Sequence, residues 1–275
     1  MTTLAPNQFQ RIARIAQDRW GLHLTEKKVP LVSNRLASFL RESPFASVEA
    51  YLDHLETDAT EEDRLVFFDL LSTNVTSFFR DKPHFDYLER EFYTPLARGN
   101  LTRPGRKIRL WSAACSTGQE PYSLAMHARE HLPDIDGWDF KILGTDLSNF
   151  AVQSAKAGVY EEDKLDGISP DLKARYLHRG TGAAKDKYTV APSLRSLVSI
   201  ARLNLMESWP FKGKFDVIFC RNVMIYFDAE TRRKLVMRFY DLLHPGGILA
   251  IGSAETLAGL NTPFAAAQAS VYLKA

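Results

Sequence analysis

From residue 108 onward the chain alternates short apolar runs with helical segments, and this alternation restricts the fold more than any other feature. Residues 108–113 form one such run; a turn of small residues follows, and then a helix predicted over 121–132. Further runs lie at 140–144, 215–220, 248–252 and 270–274. An amphipathic helix over 228–243 is stopped by Pro245, Gly246 and Gly247. Strands that alternate with helices imply a mostly parallel, doubly wound α/β sheet. Ligands of such sheets sit at the carboxyl ends of the strands.

The residues before this region read as helices. Phe9, Ile12, Ala13, Ala16 and Trp20 follow helical spacing, as do Val29, Val32, Leu36, Phe39 and Leu40. Ser47 is placed to cap a third helix carrying Val48, Tyr51, Leu52 and Leu55. Thr60 with Asp63 matches a capping box that opens a fourth through Leu65, Phe68 and Leu71. Asp81 and Pro83 mark another start, leading to Phe85, Leu88 and Phe92. A turn-forming stretch over 98–105 separates the two halves. The expected organisation is a helical domain over 1–93, a linker over 94–105 and an α/β domain over 106–275. Tyr188-Thr-Val and Leu197-Val-Ser-Ile read as strands with no helix between them, so a small antiparallel β insertion is expected over 172–203.

Composition narrows the function classes. With 275 residues and a net charge of +2, the chain is an ordinary folded protein and not a strongly electrostatic nucleic-acid binder. Cys115 and Cys220 are too few for a disulfide framework or a four-cysteine zinc site. The first ten residues lack a basic flank and an apolar core, and no run of about 18 apolar residues occurs, so neither a secretory signal nor a membrane span is expected. The expected location is the cytoplasm.

Candidate site residues gather at the strand ends. The loop after the first run, Ala113-Ala-Cys-Ser-Thr-Gly-Gln-Glu-Pro-Tyr122, lets a ligand approach the backbone, and a helix N-terminus follows it. Only Gly118 is present of a GxGxxG pattern, which favours a nucleoside without phosphates over a pyrophosphate; a plain tight turn also uses small residues. Asp146 ends the second run, 28 residues after Gly118. It either accepts both ribose hydroxyls of a nucleoside or caps the next helix. Arg221, Asn222 and Tyr226 close the run at 215–220, with Asp228 read as a helix cap. The segment from Thr73 to Asp81 is aromatic and carries Asn74, Thr76 and Arg80. There Phe78 and Phe79 are placed to pin the helical half onto the sheet, with Arg80 paired to a nearby acid.

Taken together, Thr73-Asn-x-Thr-x-Phe-Phe-Arg-Asp81, Ser112-Ala-Ala-Cys-Ser-Thr-Gly-Gln-Glu-Pro-Tyr-Ser123, Gly144-Thr-Asp146, Leu203-Asn-Leu205 and Cys220-Arg-Asn-Val-x-Ile-Tyr-Phe227 resemble the chemotaxis receptor glutamate methyltransferases, the CheR family. The resemblance runs over nearly the whole chain and keeps the motif order. It implies an S-adenosylmethionine-dependent methyltransferase fold, a small N-terminal helical domain and a β subdomain. It implies a cofactor site from Asn74, Thr76, Arg80, Glu120, Asp146, Asn204, Leu205, Arg221 and Asn222. Asp146 would hold the ribose, Arg80 the methionine carboxylate, and Asn204 and Leu205 the adenine end. Tyr226 and Arg80 would lie near the transferred methyl as the catalytic pair. Gln119 stands where many members carry Glu, which weakens any role for that side chain. With no further domain after residue 275, the chain resembles the minimal form of the family, and a monomer is expected.

The implied reaction is methyl transfer from a sulfonium to a glutamate carboxylate, which is ionised at neutral pH and needs no strong general base. None of the seven histidines falls in the shared motifs; His84, His127 and His244 read as surface or packing residues. Residues 10–41 carry a net charge of +5 and residues 42–70 a net charge of −8. A basic helix face with Lys28, Arg35 and Arg41 is therefore a candidate for steering the helical region of an acidic receptor. Three other readings carry less. A nucleic-acid methyltransferase lacks its Asn/Asp-Pro-Pro-Tyr or Pro-Cys motif here. A nicotinamide oxidoreductase lacks GxGxxG. A non-catalytic receptor-binding module would not need the site positions kept intact.

Overall fold

The computed structural model describes residues 4–72, 75–101 and 103–275. Four helices lead: α1 (Pro6–Trp20), α2 (Val29–Glu42), α3 (Val48–Thr57) and α4 (Glu61–Leu71). Their starts are set locally. The Ser47 hydroxyl accepts from Ala50 N–H at 3.1 Å. Thr60 and Asp63 exchange the two hydrogen bonds of a capping box. The end of α1 is set by Gly21, whose φ of 67° is left-handed and turns the chain toward the sheet. A Cβ there would also meet Met206 Sδ at 2.8 Å.

Next come α5 (Lys82–Leu88) and α6 (Thr94–Ala97), joined without a break by a π-helical turn over Glu89–Tyr93. The chain then runs β1 (Lys107–Ala113), α7 (Gln119–His131), β2 (Asp139–Asp146), α8 (Asn149–Ala157), β3 (Val159–Glu161), α9 (Pro170–Tyr176), β4 (Leu177–Arg179), β5 (Lys187–Val190) and α10 (Pro192–Arg195). It ends with β6 (Val198–Arg202), β7 (Phe215–Cys220), α11 (Ala229–Leu242), β8 (Leu243–Ile251), β9 (Phe264–Gln268) and β10 (Val271–Lys274). The main sheet has the order β6-β2-β1-β7-β8-β10-β9. Its first five strands are parallel; β10 runs antiparallel to both neighbours. The chain steps outward from β1 through β2 to β6, then returns to the other side of β1 with β7. The switch point therefore lies between the carboxyl ends of β1 and β7.

Each face of the sheet has its own core. On one face α1–α4 and α11 pack against Trp111, Ile218 and Leu249 in a single cluster. Trp111 is fully buried there and donates to Thr145 Oγ1 at 2.9 Å. On the other face α5, the π turn, α6 and α7 pack against Ile108, Ile142 and Phe219.

Three expectations change on this scaffold. The helical run from Lys82 to Ala97 buries Phe85, Leu88, Phe92, Tyr93 and Leu96 against the sheet, so the packing of the N-terminal bundle ends with α4 and not at residue 93. The expected linker over 94–105 begins inside that run, whose turn formers start only at Arg98. The small antiparallel sheet consists of β3, β5 and β4, so it starts before residue 172, and Val198–Arg202 is not part of it. That strand pairs in parallel with β2 at the edge of the main sheet. The crossover helix for β6 is α8, which precedes the small sheet; only one helical turn, α10, stands directly before β6, too short to show a helical period. The strand β9, a run of alanines flanked by Phe264 and Gln268, carries no strand alternation and is found only by its pairing with β10.

Candidate active site

The loop that leaves β1 is built from backbone conformations few residues adopt. Ala114 and Ser116 have φ of 61° and 50°, and Gly118 has φ of 95° at the N-cap of α7. Only glycine fits at 118: a Cβ would lie 2.8 Å from Ala155 Cβ and 2.9 Å from Tyr160 Oη. The loop is held from both sides, by Cys115 N–H to Thr145 O at 2.8 Å and by Tyr160 Oη to Thr117 O at 2.9 Å. Burial raises the pKa of the Cys115 and Cys220 thiols, so both stay protonated and neither is a nucleophile.

Asp146 ends β2 directly beside this loop and is buried. One carboxylate oxygen accepts Ser116 N–H at 2.8 Å, the other Ser148 N–H at 3.0 Å. It does not cap α8; Ser148 does, accepting from Ala151 N–H at 3.1 Å. A carboxylate has about four lone-pair positions, so after these backbone donors and that of Leu147 acceptor capacity remains for a ligand. Burial, opposed by the backbone N–H donors and reinforced by Asp69, pushes the Asp146 carboxyl up to about 6.

Arg221 follows β7, is buried, and is the hub of a partly buried ionic network. Its guanidinium donates to Glu120 at 2.9 Å, to Asp81 at 2.6 Å and to the Arg80 carbonyl at 2.6 Å. The other Glu120 oxygen accepts from Ser112 Oγ at 2.6 Å. Three separate segments, β1–α7, the residues before α5 and the end of β7, thus meet at one guanidinium. Burial works to raise Asp81, yet the Arg221 hydrogen bond and charge prevail and hold it below the usual carboxylate range. Phe79 and Asp81 both have left-handed φ, 50° and 57°, strain that fixes Arg80 between them. Arg80 donates to Val75 O at 3.1 Å; the expected ion pair belongs to its neighbour Asp81 instead. Phe78 pins this segment to the small sheet through Tyr160, with ring centres 5.0 Å apart, and not to the helical bundle.

The turn after Arg221 carries Asn222 and Tyr226, and Glu255 holds it in shape. The Glu255 carboxylate is buried and accepts N–H groups from Asn222 (3.0 Å), Ile225 (3.2 Å) and Gly252 (2.6 Å). Asn222 takes a left-handed φ of 59°. The Tyr226 carbonyl accepts His23 N–H at 2.7 Å, which ties this turn to the loop after α1. Lys28 Nζ lies 5.8 Å from the centre of the Tyr226 ring.

These parts enclose one cleft of about 1160 Å³ including its open mouth. Thr76, Arg80, Glu120, Asp146, Asn204, Leu205, Arg221, Asn222 and Tyr226 all line it. Asn74 lies outside the described residues. Gln119 does not line the cleft; it is buried and bonds Thr117 Oγ1 at 2.8 Å. Sequence reasoning missed the wall supplied by the helical half: Trp20, Leu22, His23, Leu24 and Lys28 around the end of α1, and Phe68, Leu71 and Ser72 at the end of α4. The only local signal was Gly21, a helix stop followed by alternating leucines. Asp69 was also missed; burial raises its pKa, a hydrogen bond with Ser148 opposes this, and its charge reaches Asp146. Asn204 bridges to the same helical half through the Arg19 carbonyl at 3.2 Å.

The basic face is only partly as expected. Lys28 is at the cleft, and Arg35 is turned inward onto the Leu70 and Ser72 carbonyls, closing the C-terminus of α4. Arg41 is exposed and contacts Ser38. Arg11 and Arg14 of α1 pair with Asp53 and Glu56 of α3, so part of the charge polarity is neutralised within the bundle.

A mostly parallel sheet with this order, a carboxylate at the tip of β2 and a loop without a phosphate cradle suit a nucleoside cofactor, and with the family match the class is an S-adenosylmethionine-dependent methyltransferase. Family models agree: the CheR methyltransferase all-alpha domain matches residues 7–71 and the CheR methyltransferase SAM binding domain matches residues 74–273. The chain belongs to the CheR methyltransferase family. It is 37% identical to a chemotaxis protein methyltransferase of Borreliella burgdorferi over 93% of this chain and 90% of the relative. It is 35% identical to one of Escherichia coli over 98% and 91%, and 39% identical to chemotaxis protein methyltransferase 2 of Pseudomonas aeruginosa over 90% and 85%.

Proposed function

We infer that this chain methylates glutamate side chains of chemotaxis receptors, forming glutamate methyl esters and S-adenosylhomocysteine. The observation that carries this is the convergence of nine site residues, from five separate segments of the chain, on one cleft around Asp146. S-adenosylmethionine, when bound, supplies an electrophilic methyl group on a sulfonium. Asp146 is suited to hold the ribose with its remaining acceptor capacity, and the small, backbone-exposing loop at 114–118 admits a nucleoside closely. Arg80 is assigned to the methionine carboxylate, and Asn204 and Leu205 to the adenine end. Glu120 and Arg221 serve by building the floor, since Arg221 already holds both Glu120 and Asp81.

The receptor glutamate arrives ionised, so the protein must place it and strip its water. An in-line approach at roughly 3–3.5 Å is what the site has to enforce. Tyr226 is placed to orient the carboxylate, with Lys28 beside it as a cation at the mouth. The apolar wall from α1 and α4 lowers the local dielectric, so approach of opposite charges that then cancel is favoured. We further propose that the bundle ending near residue 72 docks the receptor, with Lys28 and Arg41 as its basic contacts, and that the enzyme works as a cytoplasmic monomer.

Methyl transfer from labelled S-adenosylmethionine to receptor-containing membranes tests this. Label released as methanol by mild base is the expected result, because esters hydrolyse and methylamines do not. Base-stable label, or none on any receptor, refutes it.

A further inference from the structure

Away from the cleft, α7 carries His127 and His131 four residues apart, one turn apart on a single helix face. Glu89, the first residue of the π-helical turn, lies beside them. His131 Nδ1 is 3.4 Å from a Glu89 carboxylate oxygen, and the two imidazole rings have centres 4.3 Å apart. One potential ligand atom from each residue lies within 4.8 Å of the other two. His127 is only 7% exposed, and its Nδ1 is buried with no hydrogen-bond partner among the described residues. Its ring is walled by Phe85 and Tyr93, with centres 5.4 and 5.6 Å away. A buried imidazole nitrogen left unpaired is costly, and such groups in folded proteins call for an explanation.

We propose that Glu89, His127 and His131 bind one late first-row divalent metal ion, zinc being the best match to two imidazoles and a carboxylate. Borderline cations prefer this nitrogen–oxygen set over the all-oxygen sets that calcium and magnesium take. Ligands about 2.1 Å from a tetrahedral zinc stand about 3.4 Å from one another, so the His131–Glu89 separation already matches one edge of such a site. His131 and Glu89 are partly exposed, which leaves room for their side chains to adjust and for water as a fourth ligand. Single π turns within helices are frequent at functional sites, and here the turn begins with Glu89. The ion would tie the π turn to α7, the helix whose first turn carries Glu120.

The test uses the full chain, untagged and stripped with a chelator. Zinc is titrated in competition with a chromogenic chelator, and cobalt(II) serves as a visible-absorption probe of nitrogen–oxygen ligation. One equivalent of zinc is expected at micromolar affinity or tighter. His131→Ala and Glu89→Gln should each weaken it at least about tenfold, while S-adenosylhomocysteine affinity stays unchanged. These two partly exposed positions are chosen because removing the buried His127 would also disturb the core. Failure to bind one equivalent, or an affinity that neither substitution changes, overturns the proposal.

Discussion

Replacing Asp146 by Asn separates cofactor recognition from folding. In the free protein the carboxyl titrates at about 6, well above the usual carboxylate value, because burial opposes its charge. The ionised form is the one that accepts two ribose hydroxyls. Affinity for S-adenosylhomocysteine should therefore be flat above pH 7 and fall about tenfold per pH unit well below 6, since each unit removes a factor of ten in the ionised fraction. The Asn variant loses the charge and one acceptor, a deficit of about 1.5–3 kcal/mol, or roughly 10- to 150-fold in Kd at pH 7.5. Its pH profile should lose the step near 6.

Stability moves the other way. A carboxyl whose folded pKa is raised holds its proton more tightly in the native state, so native stability declines as pH rises from about 4 through 6. Two pH units amount to about 3 kcal/mol at neutral pH, an order-of-magnitude figure. The Asn variant escapes that cost but leaves one of the two backbone N–H groups facing an amide NH₂, a loss of about 1–3 kcal/mol. The two offset, and the thermal midpoint of the free protein should stay near that of the parent. Calorimetric titration from pH 5 to 8 with parallel thermal melts decides the matter. A parent affinity that shows no step, or a variant that binds as tightly as the parent, would refute the ribose assignment.

Three further outcomes are expected. Tyr226→Phe should lower kcat for receptor methylation at least about tenfold while leaving S-adenosylhomocysteine affinity intact; unchanged turnover removes the hydroxyl from the reaction. Arg221→Met leaves the partly buried Glu120 and Asp81 without their cation and should cost about 2–3 kcal/mol of stability, read by urea unfolding, with a loss below about 1 kcal/mol contradicting the network's role. Charge reversal at Lys28 and Arg41 together should slow receptor methylation most at low salt, and a rate insensitive to both substitutions and salt would count against electrostatic docking.

Much of this protein is written in short-range pattern. Strand and helix periods, the Ser47 and Thr60 caps, and the loop around Gly118 depend on residues a few positions apart, and the structure reproduces them. Asp146, Arg221, Asn222 and Tyr226 were legible for a related reason: in a parallel sheet, residues that end strands meet at one edge whatever the connections between them, whereas Asn204 and Leu205 came only with the family resemblance.

What tertiary structure alone decided depends on contacts between distant segments. Whether Asp146 caps a helix or keeps lone pairs open turns on Ser116, thirty residues earlier, and on Ser148 taking the cap. Asp81 stands at a helix start yet gives its carboxylate to Arg221 rather than to that helix, because a buried guanidinium offers more than an exposed N–H. Glu255 sits in no recognisable motif and becomes a support only because β8 lies beside β7. Likewise Val198–Arg202 joined the main sheet and not the small one because the space beside β2 and the helix α8 were there to receive it. Local sequence fixes which conformation a segment prefers; which partner it then pairs with is settled by the shape of everything else that must be buried.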